Sequence, residues 1–182
     1  MEKFEENPNL GIASGSLYYT DHKKTIIERG PDYFPRGPVR MWRKKCFLET
    51  DMYKVTYCPD SVSCIKARLS GWETKCFKEI TGLHRRTSSA TGLWAGYRIR
   101  GEGHYFLNFN PLFIMGKGIY LSFREPYYIG LAFCYGYFSK LVKLAPKIDD
   151  KQIKDYYWRV RFNEKATEIL SNLLKINKNE RI

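Results

Sequence analysis

A glycine-flanked tyrosine in the segment GKGIYLS at 116–122 has the residue types best suited to holding a flat ligand. Glycine has no Cβ, so Gly116 and Gly118 would let the backbone approach a ring closely, and Tyr120 would present its own ring there. His84 lies 36 residues before this tyrosine. A histidine on one strand and a tyrosine on another would together grip a nucleotide, since imidazole forms hydrogen bonds and the phenol ring stacks.

This arrangement resembles the catalytic domain of the PARP-like ADP-ribosyltransferases. In that family a strand with a histidine is followed by a helix, a loop and a G-x-G-x-Y-F/L-A/S segment. The resemblance covers roughly residues 79 to 146. It implies an α+β fold of two packed, mostly antiparallel sheets with flanking helices, which form a cleft for NAD. We therefore divide the chain into a basic, β-rich extension of unknown role at 1–75 and a transferase-like domain at 76–182.

The resemblance also implies a role for each matching residue near the histidine and the tyrosine. His84 would bond a hydroxyl of the adenosine ribose, and Tyr120 would lie against the nicotinamide ring. Arg85 replaces the glycine that usually follows the histidine, so its backbone would hold the carboxamide while its Cβ limits the approach.

A second aromatic ring is expected from the segment GLAFC at 130–134, which aligns with the S-A-N-Y segment of many relatives. This alignment makes Phe133 the second stacking ring and leaves Gly130 where relatives have a carboxamide-binding serine. Ser122, or else Ser139, would supply the missing hydroxyl, and Gly118 would keep the tyrosine close to the ligand.

ADP-ribosyl transfer breaks the bond between nicotinamide and ribose, so positive charge develops on the sugar and a carboxylate is needed to stabilise it. Glu164 in the sequence RFNE at 161–164 resembles the third catalytic residue of the family. A carboxylate in the first turn of a helix is also expected from the helix dipole alone. Both roles stay open for Glu164.

The expected activity is transfer of ADP-ribose from NAD to a protein or nucleic-acid acceptor, with release of nicotinamide. Three other functions remain open. The first is nucleic-acid binding by a basic protein without catalysis. The second is NAD-dependent RNA 2′-phosphotransfer. The third is a degenerate transferase fold that serves as an interaction module.

The charge of the chain is +12, from 31 basic and 19 acidic side chains. From Arg36 to Arg86 there are 12 basic and 5 acidic residues, and from Lys147 to the end there are 9 and 6. Such an excess favours phosphate-bearing partners, which are nucleic acid, a dinucleotide or an anionic membrane surface. Solubility alone is the other explanation.

The cysteines do not match a metal signature. Cys46, Cys58, Cys64 and Cys76 are spaced by 11, 5 and 11 residues, whereas zinc sites use a close C-x2-4-C pair. We expect reduced thiols and no metal. No run of about 18 apolar residues occurs, and the acidic N-terminus does not resemble a signal peptide, so we expect an intracellular protein without a membrane span.

Periodicity predicts the following elements. We expect strands at 15–20, 41–57 (with a turn at Thr50-Asp51), 65–69, 76–84, 97–100, 139–146 and 156–162. We expect helices from Thr87 or Ser88 to Gly96, at 127–138 and at 163–176, and a long loop at 101–115.

Overall fold

The structure is a computed structural model that describes residues 2–21, 24–27, 31–53, 56–83, 93–123 and 125–160. The chain divides into two compact units, unit 1 (Met1–Ala90) and unit 2 (Thr91–Ile182). The expected α+β class is confirmed, because unit 1 contains a sheet and both units contain helices. The two packed sheets were not found, since the strands of the described ranges belong to one sheet.

The sheet of unit 1 is centred on strand β1, Leu10–Asp21. Strands β2 (Lys24–Ile27) and β3 (Arg40–Trp42) pair antiparallel with different parts of β1, and β4 (Glu73–Leu83) pairs with it in parallel. Two register shifts interrupt the parallel pairing. The domain boundary expected between residues 75 and 76 falls inside β4, because this strand runs from Glu73 to Leu83.

Helices cover β1, and this explains its apolar run LGIASGSL. On one side Ile12 packs with Cys46 of helix α2 (Lys44–Glu49) and Ala67 of helix α3 (Pro59–Leu69). Elsewhere Leu10, Ala13 and Phe77 form a second cluster, against which Phe4 of the short helix α1 (Glu2–Glu6) packs. Residues 10–17 of β1 are buried as a result.

The described part of unit 2 is helical. It consists of α4 (Leu93–Phe106), α5 (Pro111–Ser122), α6 (Ile129–Val142) and α7 (Lys151–Asp155), and α7 continues into the π-helical turn Tyr156–Val160. Tyr137 is buried and donates a hydrogen bond to the Phe109 carbonyl oxygen at 2.7 Å. Burial, with a smaller contribution from Tyr105, raises the pKa of Tyr137 to about 12.

Glycines allow α4 and α6 to pack with their backbones in contact. A Cβ built on Gly101 would overlap the carbonyl oxygen of Phe133, and one built on Gly136 would overlap that of Arg98. These two glycines face each other's helix. A close helix crossing of this kind explains why a glycine-containing segment folds as a helix here despite its low intrinsic propensity.

Several predicted elements were wrong. Gly96 does not end a helix, because α4 continues through it, and the predicted strand at 97–100 is part of α4. The predicted loop at 101–115 contains the end of α4 and the start of α5. Residues 65–69 belong to α3, and most of 41–57 is not extended. The strand predicted at 139–146 is helical as far as Val142, and the strand predicted at 156–162 is helical at 156–160. The helix predicted at 163–176 lies outside the described residues.

Candidate functional site

The segment GKGIYLS is the second half of helix α5 and not a strand. Asn110 caps the helix, since its side chain accepts a hydrogen bond from the Leu112 backbone N–H at 2.9 Å. Pro111 occupies the first turn, where its missing N–H costs nothing. The prediction of a strand that carries Tyr120 was therefore wrong.

The small residues of this segment serve helix packing. A Cβ on Gly118 would overlap the sulfur of Cys134, and one on Gly130 would overlap the Gly118 carbonyl oxygen and the Ser122 hydroxyl. Ser122 Oγ donates a hydrogen bond to the Gly118 carbonyl oxygen at 3.1 Å. The structure thus brings Gly118, Ser122 and Gly130 together, at the contact between α5 and α6.

The two aromatic rings expected to sandwich nicotinamide lie in different surroundings. The Tyr120 side chain is exposed, whereas Phe133 is fully buried. The His104 ring lies 5.0 Å from the Phe133 ring, and Lys117 Nζ lies 5.0 Å from its centroid. A ligand ring could not stack on Phe133 in this position without displacing these groups.

Three other predicted NAD contacts are not in the described ranges. His84, Arg85 and Glu164 lie outside them. The expected roles of these three residues, and the binding of NAD itself, therefore stay predictions.

Sequence reasoning missed an apolar exposed face on α5. Leu112, Met115, Ile119 and Phe123 follow the spacing i, i+3, i+7 and i+11, and each is at least half exposed. This spacing is the signal for one face of a helix. The sequence pattern predicts a loop for the first half of α5 and a strand for the second half, and neither element would have such a face.

The exposed positive charge of unit 2 is also distinctive. Residues 93–147 include seven basic and two acidic side chains. One of the two acids, Glu102, is buried, and its carboxylate lies 3.6 Å from Arg98 Nη1 and 3.5 Å from Lys140 Nζ. Arg100 and Lys143 are exposed. The α4–α6 region therefore presents a positive surface.

In unit 1, by contrast, several arginines hold the fold together. Arg43 Nε donates to the Leu10 carbonyl oxygen at 2.9 Å, and its Nη2 donates to the carbonyl oxygens of Phe4 and Asn7. The Arg68 guanidinium lies 4.8 Å from the centroid of the Tyr33 ring. Part of the positive charge noted between Arg36 and Arg86 is thus structural.

A buried arginine lies at the centre of a polar cluster in unit 1. Arg40 has a side chain that is 3% exposed, and its Nη1 lies 3.6 Å from Asp60 Oδ1 and 2.8 Å from Ser63 Oγ. Tyr53 donates to the same Asp60 oxygen at 2.8 Å. Burial, followed by the hydrogen bond to Asp60, raises the pKa of Tyr53 to about 12.

The backbone next to this cluster is strained. Asp51, Met52 and Cys58 have φ values of 58°, 60° and 53°, in the left-handed region that non-glycine residues rarely adopt. Strained residues persist only where their surroundings hold them, and they often cluster at sites of function. The described residues 51–53 and 56–58 therefore form a secondary candidate site.

The cysteines of unit 1 are separate free thiols. Cys46 and Cys64 are buried, and burial raises the pKa of each thiol, that of Cys46 to about 11. Among the described residues no group of three or more His, Cys, Asp or Glu side chains is placed to hold a metal ion.

Comparisons with protein-family models, with curated proteins and with solved structures give no match for this chain. Within the described ranges, none of the helices combines the length and the apolar character needed to cross a bilayer. The candidate site of unit 2 is therefore defined by two features of this unit, the exposed apolar face of α5 and an excess of positive charge.

Proposed function

We propose that this chain is a binding module for a phosphate-bearing partner and that unit 2 provides the binding surface. The observation that supports the proposal is the excess of seven basic over two acidic residues at 93–147, of which Arg98, Arg100 and Lys143 are exposed. Basic surfaces bind phosphate-bearing partners by displacing counterions, and this contribution needs no catalytic group.

Binding without catalysis is favoured over the NAD-dependent reaction by the burial of Phe133 and the helical state of Gly116–Ser122. The glycines of this segment serve the packing of α5 against α6, and a buried Phe133 ring is not exposed for stacking. The charge excess is independent of that packing, because Arg100 and Lys143 are exposed.

Reversing two exposed charges is expected to weaken binding about tenfold at low salt, because each contact with a phosphate adds to the salt-dependent part of the affinity. The variant is Arg100→Glu with Lys143→Glu. Binding is measured by retention on heparin, on single-stranded RNA and on anionic vesicles, at low and at high salt. High salt should remove the difference between the variant and the unmodified chain.

The control is Lys45→Glu with Lys75→Glu, which makes the same charge change at exposed positions of unit 1. It should keep most of the affinity. If the unmodified chain is not retained on any of the three probes at low salt, the proposed function is wrong.

ADP-ribosyl transfer stays a sequence prediction with its own test. If His84 and Tyr120 hold NAD, then His84→Ala and Tyr120→Ala each abolish NAD consumption, measured as release of nicotinamide. Tyr120→Ala should leave the thermal stability nearly unchanged because the side chain is exposed, so a loss of activity cannot be attributed to unfolding. Equal NAD consumption by both variants and the unmodified chain contradicts these roles.

A further inference from the structure

Helix α5 exposes large aliphatic and aromatic side chains. A surface helix of a water-soluble protein normally buries side chains of this kind. Ile119 is 61% exposed and Phe123 is 80% exposed, and both lie on the face that begins at Leu112 and Met115. Lys117 is the sole charged residue of α5. A helix with so little polar surface is normally covered by other apolar groups.

The exposed apolar surface continues beyond the end of α5. Tyr127 and Leu131 are each 63% exposed, in the connection to α6 and in its first turn. We call the following six residues the apolar face: Leu112, Met115, Ile119, Phe123, Tyr127 and Leu131. So many large apolar side chains exposed within 20 residues of chain indicate an interaction surface, whereas single exposed apolar residues need no explanation.

Unit 2 also exposes a cluster of three amphipathic aromatic residues. The Trp94 ring lies 6.2 Å from the Tyr128 ring and 6.3 Å from the Tyr135 ring, and all three side chains are partly exposed. Tryptophan and tyrosine favour the level of the lipid headgroups, where the ring is buried and its polar atom stays hydrated.

We propose that the apolar face inserts into the headgroup region of an anionic bilayer while the basic residues of α4–α6 contact the lipid phosphates. The inference rests on the proposed function and names its partner as a membrane surface. Helix α5 has 12 residues and is about 18 Å long, too short for a hydrocarbon core of about 30 Å. It therefore lies in the interface and does not span the membrane.

Charge complementarity favours a bilayer over the other possible occupants. In a second copy of this chain, the same excess of seven basic over two acidic residues would oppose association through this region. A nucleic acid would satisfy the basic side chains but would leave aliphatic Leu112, Ile119 and Leu131 in water. An anionic bilayer accommodates both kinds of group.

The test is co-sedimentation of the full chain with vesicles of phosphatidylcholine that contain about one third phosphatidylserine. We expect Ile119→Asp with Phe123→Asp to lower the partition coefficient at least about 100-fold, because two large apolar side chains no longer enter the bilayer. Leu48→Asp is the matched control. It changes a residue of unit 1 that is 58% exposed, and it should leave vesicle binding unchanged.

A second measurement on the unmodified chain does not depend on the variants folding. Hydrogen exchange of residues 119–131 should slow when the same vesicles are added, while exchange in β4 stays unchanged. Retention on single-stranded RNA with no binding to vesicles would overturn the membrane inference and leave the proposed function standing. A dimer in light scattering that is lost in the Ile119→Asp, Phe123→Asp variant would also overturn it. Failure to bind RNA, heparin and vesicles alike would overturn both.

Discussion

Replacing Gly101 or Gly136 by alanine is expected to destabilise unit 2 by about 3 kcal/mol, at the upper end of the range for overpacked sites. A Cβ at either position overlaps a backbone carbonyl oxygen of the facing helix, and backbone cannot move aside as a flexible side chain does. The helices α4 and α6 must then separate, which opens contacts around buried Phe133 and Tyr137. Denaturant unfolding followed by circular dichroism measures the change.

Gly116→Ala is the matched control, and the expected change has the opposite sign. A Cβ at Gly116 meets no atom within 4 Å, and the residue lies inside α5, where alanine is favoured over glycine by about 1 kcal/mol. We therefore expect Gly116→Ala to stabilise the chain and Gly118→Ala to destabilise it. Equal destabilisation by both would contradict the helix and favour a strand on which both glycines approach a ligand.

Strands β1 and β4 could be predicted from the sequence, because the apolar residues that indicate each strand lie within one short segment of the chain. The segment at 15–20 lies within β1, and the predicted strand at 76–84 overlaps β4. The helix predicted at 127–138 likewise corresponds to most of α6, whose apolar density is high. In each case local pattern and final structure agree.

Helices α4 and α5 could not be predicted in the same way, because glycines ordinarily indicate a loop or a close approach to a ligand. Gly101 and Gly118 lower helix propensity, yet each lies where another helix approaches closely. That approach is a tertiary contact between segments distant in the chain, and it overrides local propensity. The Asn110-Pro111 pair was the available signal, because a cap followed by proline typically begins a helix.

The candidate surface was only partly predictable. The charge excess is visible in the sequence, and the alternatives derived from it included an anionic membrane surface. Which basic residues are exposed depends on packing, because Arg40 and Arg43 of the most basic segment bond backbone carbonyl groups inside unit 1. Burial likewise separates Phe133, a core residue, from the exposed Phe123.

Arg40→Met is expected to destabilise unit 1 by about 2 kcal/mol, because it leaves a buried backbone oxygen without its charged donor. Arg40 Nη2 donates to the carbonyl oxygen of buried Pro35 at 2.7 Å, and Nη1 contacts Asp60 and Ser63. Methionine fills similar space but leaves the Pro35 oxygen without this donor. The loss is measured by thermal and denaturant unfolding of the full chain.

Lys45→Met provides the comparison, since Lys45 Nζ lies 3.8 Å from Glu49 Oε1 on an exposed turn of α2. Such a pair contributes at most about 0.5 kcal/mol, because solvent screens it. If the two substitutions have equal effects, Arg40 is not a structural residue of unit 1. It would then be available to a ligand near the strained residues Asp51, Met52 and Cys58, and its positive charge would have to be assigned to binding and not to the fold.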